Sequence, residues 1–339
     1  MKSTLPILLV IALALAAPLR ADLNSDLAFS GFAGQNIDLN ALAGGQVLQA
    51  RGPIMTFARG ITSQSLFVID AAPADVAKKL LTWDPARHAD LKVWLHQTLP
   101  MQPKPADFAA LGSLPDNTSM QFQYKALADF NPSSPTVQVS KEEAQFIAST
   151  AAQVKDPKAL FAQVWPQILT GRVNAFLSGN GSSSVNSDGV HPLNDVKSLL
   201  HSDPKVYGQY QHLLSQTPAR ALAGSSAAKI APANLYCDVF DVEGSAAVGT
   251  GAIYQASNGA SIQSADMEYF TNYGVYGTVE LEQMWPVSIG GKNETLVWRE
   301  DLVSAPNVAY LHGTERMASS MIMLQETKGG IDAFRGEFR

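Results

Sequence analysis

Two neighbouring stretches decide the fold: Thr278-Val-Glu-Leu-Glu-Gln-Met-Trp285 and, beyond the turn signal Gly290-Gly291, Glu294-Thr-Leu-Val-Trp-Arg-Glu-Asp-Leu-Val303. Both alternate with period two, as a strand does when one face is buried. In the first, Val279, Leu281, Gln283 and Trp285 share a face, against Thr278, Glu280 and Glu282. In the second, Leu296, Trp298 and Leu302 oppose Thr295, Arg299 and Asp301. The spacing predicts strands over Tyr273–Val287 and Glu294–Val303, preceded by strands over Leu235–Val242 and Ser261–Thr271. Opposed charges on the outer faces of neighbouring strands then pair modestly, at roughly 0.2–1 kcal/mol each. Downstream, Ser304 suits an N-cap and Pro306 a first helical turn. A helix is expected over 306–328, carrying Val308, Leu311, Met317, Met321, Ile322 and Leu324 and ended by Gly329-Gly330. If that helix closes the sheet, Leu311 and Met321 are buried.

Upstream, Ser65-Leu-Phe-Val-Ile-Asp70 has strand composition, and Pro73 stands where a first helical residue would. Val76, Leu80 and Leu81 follow at helical spacing, and Trp83-Asp84-Pro85 ends the helix because the residue before proline leaves the helical region. Asp90–Leu99 reads as a second short element, and Met120-Gln-Phe-Gln-Tyr as a further strand. From residue 140 to 223 the character is helical. Ser140-Lys-Glu-Glu143 is a capping box. Asp156-Pro157 and Asp203-Pro204 open further helices, with Pro166 a kink in the first, and a Gly/Ser/Asn loop lies at 178–189.

Strand, short helices, strands, antiparallel meander and long C-terminal helix together resemble the helix-grip fold of the START-like superfamily, which includes polyketide cyclase/dehydrase-like and lipid-transfer domains. Ser65–Asp70 with Pro73–Leu81, the turn Trp83-Asp-Pro-Ala-Arg-His88, and Tyr273–Val303 leading into Pro306–Lys328 carry the resemblance over about half the chain, as a pattern of elements without a diagnostic motif. It implies an α+β fold in which a curved antiparallel sheet wraps the C-terminal helix around an elongated apolar cavity. The organisation expected is a signal peptide at 1–21, a lead-in at 22–60, a START-like domain formed by 61–139 and 234–339, and a helical insert at 140–233. The insert departs from the compact family pattern.

Lys2 followed by the apolar run Leu5–Ala17 and Ala14-Leu-Ala16 predicts a cleaved secretory signal, since about thirteen apolar residues fall short of the roughly 17–25 that span a bilayer. Its removal leaves 22 Lys and Arg against 30 Asp and Glu, a net charge of −8 in place of −6. The expected location is periplasmic or secreted. Cys237, the only cysteine, excludes an internal disulfide and sits in an alternating run that buries it as a small apolar residue. With 46% apolar residues the chain is not disordered, and acidic charge without a Lys/Arg block argues against nucleic acid.

Six histidines form no metal spacing, and no G-x-S-x-G, P-loop or dinucleotide fingerprint occurs, so no metal and no cofactor is expected. Gly249-Thr-Gly251 has no phosphate-binding helix after it and reads as a turn or bulge. Glu280 and Glu282 share a strand face; paired carboxylates can divide acid and base work, but a face opposite the tryptophans reads as solvated. Tyr269, Tyr273, Trp285 and Trp298, with Met317 and Met321, are the candidate lining of an apolar cavity, the aromatics offering apolar bodies with polar tips and the methionines adaptable surface. The function this favours is an exported binding protein for a hydrophobic ligand such as a lipid, with at most transient membrane contact. An enzyme of the same fold (cyclase, dehydratase or hydrolase), using His88, Arg87 or a strand tyrosine as acid or base, is the first alternative. A structural envelope protein with a packed core is the second.

Overall fold

The computed structural model describes residues 23–53, 55–179, 185–217 and 231–339; the expected signal peptide lies outside them. Eight strands form one antiparallel sheet: β1 (Leu48–Arg51), β2 (Gly60–Ile69), β3 (Val93–Leu99), β4 (Asn234–Val242), β5 (Ser245–Asn258), β6 (Ser261–Thr271), β7 (Gly277–Ile289) and β8 (Lys292–Ser304). Their order is β1-β2-β8-β7-β6-β5-β4-β3. The helices are α1 (Leu23–Asp26), α2 (Leu39–Ala43), α3 (Pro73–Leu80), α4 (Thr118–Ala128), α5 (Lys141–Ala151), α6 (Pro157–Ser178), α7 (Pro192–Leu200), α8 (Pro204–Ser215) and α9 (Gly313–Gly336). This is a mixed α+β fold: a curved antiparallel sheet, a long C-terminal helix and a helical insert, helix-grip-like in general architecture.

Helices α4 to α8 form a layer over one face of the sheet. Alternation sends Leu66, Val68, Leu296, Trp298, Leu281, Trp285, Tyr254 and Val239 into that face, where they join Phe161, Trp165, Val196, Tyr210 and Leu213 in the main core. Burying one such side chain contributes roughly 1.5–3 kcal/mol. The capping box at Ser140 is present, and Glu143 does double duty: its carboxylate also takes both arms of the buried Arg172 guanidinium, at 2.7 and 2.5 Å, pinning α5 to α6. Asp195 likewise accepts two bonds from Arg59, at 2.9 and 2.7 Å, and one from Ser304 Oγ at 2.6 Å, holding the start of α7 over β2 and β8.

The other face is covered only in part. Val76 and Ala77 of α3, with Ile331 and Phe334 of α9, pack on Phe67, Ile69, Met284 and Val297. Arg335 fixes this corner by donating to the carbonyls of Val68 (2.9 Å), Gly45 (2.8 Å) and Leu42 (2.7 Å). The rest of α9 runs along the β1–β2 end of the sheet, where Gln49 Nε2 donates to the Leu324 carbonyl at 2.6 Å.

Several expectations are corrected. Met120–Tyr124 belongs to α4, not to a strand; Asn117 caps the helix by accepting from the Met120 amide, a local signal that outweighs the short alternation. The C-terminal helix starts at Gly313 after a 3₁₀ turn (Asn307–Tyr310) and continues through Gly329-Gly330 to Gly336, because Ile331, Phe334 and Arg335 anchor its last turns. Ser304 donates to Asp195 and caps no helix. Met321 is 63% exposed and Leu311 only half-buried, since the buried end of α9 is the C-terminal one. Pro166 lies inside α6, which is helical on both sides of it from Pro157 to Ser178. Strand β5 has no counterpart among the expected elements; Gly249 and Gly251 lie within it, at a bulge in its pairing with β6 where Tyr269 is the extra residue.

Candidate functional site

The uncovered part of the second face is a cavity of about 390 Å³, within the range of small-molecule sites. Its apolar rim is Leu80 of α3, Trp83 and Pro85 of the following turn, Val93 of β3, Phe240 of β4 and Ile253 of β5. The rim is tied to the sheet by Asn234 Nδ2 donating to the Leu81 carbonyl (3.0 Å) and Gln255 Nε2 to that of Ala77 (2.8 Å). Trp83 also packs edge-on against Phe334, 5.3 Å between ring centroids. The Trp83–His88 turn thus forms one wall, and Asp84 caps it through the Ala86 amide.

The floor is polar, and strand register assembles it. Across the sheet His96 pairs with Asp238, Tyr236 with Gly251 and Gly251 with Glu268; Asp266 pairs with Glu280 and Glu280 with Asp301; Glu282 pairs with Arg299. Period two puts all these side chains on one face. Glycine at 249 and 251 gives them room: a Cβ on Gly249 would stand 2.1 Å from Glu268 Oε1, and one on Gly251 would stand 2.2 Å from the Tyr236 ring. Both glycines serve close approach of side chains from neighbouring strands.

Three polar groupings result. His96 Nδ1 lies 2.7 Å from Asp238 Oδ1. Burial disfavours the imidazolium, but the bond to Asp238 and its charge outweigh this and raise the His96 pKa. Tyr236 donates its hydroxyl to Asp266 at 2.7 Å. Burial, reinforced by the charge of Glu280, pushes the Asp266 carboxyl up to about 8, so it is largely protonated at neutral pH. The third grouping centres on Arg299, whose Nη2 sits 2.5 Å from both Glu280 Oε2 and Asp301 Oδ1, with Glu282 at 3.9 Å from Nη1. Burial and the neighbouring Glu280 raise the Glu282 pKa well above the ordinary range. Glu268 stands apart: it is 6% exposed, its Oε1 has no hydrogen-bond partner, and burial with Asp238 and Asp266 nearby drives its pKa far up.

The expected lining residues lie elsewhere. Trp298 is fully buried in the main core, 4.7 Å from the Phe29 ring and 6.1 Å from that of Tyr210, and Trp285 is in the same core. Tyr269 stacks on Phe176 at 3.7 Å beside a pocket of about 20 Å³, and Tyr273 packs against Phe122. Met317 and Met321 are exposed on α9. None of the six lines the large cavity. Helices α4 to α8 cover the tryptophan face, while the glutamate face, read as solvated, becomes the cavity floor. Sequence did hold a signal: Glu280 and Glu282, and Asp266 and Glu268, each recur at i, i+2 on strands that pair. Arg87 is at hydrogen-bonding distance from Asp84, and His88 from Glu337, which Lys79 also holds; neither lines the cavity.

Among the described residues no cluster of His, Cys, Asp or Glu is arranged to hold a metal ion, and no helix is long and apolar enough to cross a membrane. Comparison with protein-family models, curated proteins and solved structures gives no match.

Proposed function

We propose that the protein is an exported binding protein whose ligand occupies this cavity as a small amphipathic molecule. An apolar body rests on Leu80, Trp83, Phe240 and Ile253, and a polar head reaches the floor of Tyr236, Asp266 and Glu268. The two-sided lining of a cavity of about 390 Å³ carries the reading: apolar walls bury the body and a few placed polar groups orient it. It keeps the hydrophobic-ligand function and moves it to the opposite face of the sheet. Organic-solvent extraction of the purified protein, followed by mass spectrometry, tests it. A co-purifying amphiphile that is absent from a folded Ile253→Trp variant, in which indole fills the cavity, is the expected result. Equal recovery from both variants rejects the site.

An enzyme acting in the same cavity is the second reading. It is favoured by the His96–Asp238 and Tyr236–Asp266 pairs, each at 2.7 Å, which supply a base and a proton donor to one space. Tyr236→Phe separates the two: a binding protein retains its ligand, whereas an enzyme accumulates unreacted substrate in the extract.

A further inference from the structure

Resting on that binding reading, we propose that the head group recognised on the cavity floor is an organic cation, an ammonium or guanidinium, seated among Glu268, Asp266 and Glu280. Five carboxyl groups line the cavity (Asp238, Asp266, Glu268, Glu280 and Glu282) against two cationic side chains, His96 and Arg299. Both cations are committed: His96 to Asp238, and Arg299 to Glu280 with Asp301, which lies behind the lining. Asp266 and Glu280 are direct cross-strand partners, a placement that opposes ionising both unless a cation sits between them. Glu268 is two residues along β6 on the same face. Opposite residues stand about 4.5–5.5 Å apart and i, i+2 residues about 6.5–7 Å, so the three carboxyls outline a site for a many-donor cation.

The second observation is independent of the cluster. Glu268 is more than nine-tenths buried, faces the cavity and keeps Oε1 without a hydrogen bond. A buried carboxyl oxygen left unpaired is costly, and a donor from a ligand would satisfy it. Gly249 is what lets that oxygen sit there, since any Cβ at 249 would collide with it. A metal ion fits poorly, because the described side chains do not converge as metal ligands do. The aromatic content of the lining adds to the match, since Trp83, Tyr236 and Phe240 are residue types that suit a cation and its alkyl or aryl body.

The binding chemistry carries a proton signature. The groups facing Asp266 and Glu268 are Tyr236 and Asp238 of β4, Glu280 of β7 and, behind Asp238, His96 of β3. Asp266, pushed up to about 8, holds its proton at neutral pH in the free protein, and burial with the nearby Asp238 and Asp266 raises Glu268 in the same direction, so an arriving cation displaces protons to solvent.

Isothermal titration of the full chain with tryptamine and octylamine, each beside its alcohol (tryptophol, 1-octanol) and its carboxylate (indole-3-acetate, octanoate), tests the assignment. The amines are expected to bind about tenfold or more tightly than the alcohols, and the carboxylates more weakly still. Heats measured in phosphate and in Tris at pH 7 should differ by the released protons. Glu268→Gln, with folding verified by circular dichroism, should bring the ratio of amine to alcohol affinity down towards one; Asp266→Asn provides the second variant. Equal binding of amines and alcohols overturns the cation while leaving the cavity as a ligand site. Failure of all six probes, with no amphiphile in the solvent extract, overturns both.

Discussion

The Tyr236 ring lies directly over Gly251 on the neighbouring strand, so close that a Cβ at 251 would fall 2.2 Å from both Cζ and the hydroxyl oxygen. That approach lets the tyrosine reach Asp266. Gly251→Ala must therefore push the ring aside or part β4 from β5. A cost of about 1–3 kcal/mol is expected, as for overpacking in a core, read as a lowered Tm. Any ligand carried by the wild type should be lost as well. An unchanged Tm with the ligand retained would show that the ring is not fixed there.

Stability should fall as pH rises from about 4.5 to about 8. Asp266 and Glu300 both titrate near 8 in the folded protein, raised chiefly by burial, and near 4 when unfolded. Between those values the folded state holds protons that the unfolded state has released, so raising pH favours unfolding, by at most about 1.4 kcal/mol per pH unit for each group. The raised His96 pKa acts in the same direction. Glu300 is fully buried and accepts from Gln64 Nε2 at 3.0 Å and Thr62 Oγ1 at 3.2 Å. Glu300→Gln should flatten the upper part of the profile, as measured by thermal unfolding from pH 5 to 8. A profile without that fall, and unchanged by Glu300→Gln, would mean that Glu300 is not raised by its burial.

The strands were legible where alternation was clean. Val279 to Trp285 and Leu296 to Leu302 identify their own faces, and local signals placed the capping box at Ser140 and the helix starts at Pro73, Pro157 and Pro204. Alternation sorts residues onto two faces without saying what covers each. The tryptophan face looked like a ligand wall because helices that cover it lie between residues 118 and 215, far from β7 and β8 in sequence. The cavity floor was hidden for the same reason: its carboxyls come from three strands, and only the register of β6 between β5 and β7 brings Glu268, Asp266 and Glu280 together. In β5, Gly249 and Gly251 interrupt strand composition, yet the absent side chains are what the cavity needs.

The C-terminal turn should matter more to stability than its position suggests. Arg335 is buried and spends its guanidinium on carbonyls from β2, the end of α2 and the residues after it. Arg335→Ala leaves those carbonyls without the donor and should cost about 2–4 kcal/mol, charged hydrogen bonds contributing roughly 1.5–3 kcal/mol each. Lysine should rescue little, because one ammonium cannot reproduce the planar fork. Chemical denaturation of the two variants measures this; full rescue by lysine would reduce the role of Arg335 to charge alone.

The last prediction separates the two faces of the sheet. Trp298 and Met321 were expected to line one cavity, but Trp298 is enclosed between sheet and helical layer and Met321 is 63% exposed on α9. Trp298→Ala removes a fully buried indole that touches Phe29 and Tyr210, and should cost about 3–5 kcal/mol. Met321→Ala should change stability by less than about 0.5 kcal/mol, as exposed positions do. Ligand retention provides the decisive contrast. Met321→Ala should leave it unaffected, and Trp298→Phe, which keeps most of the core volume, should retain ligand wherever the protein stays folded. The cavity lies on the other face of β8, where Arg299 and not Trp298 meets it. Loss of ligand from a folded Trp298→Phe variant would return the binding site to the tryptophan face.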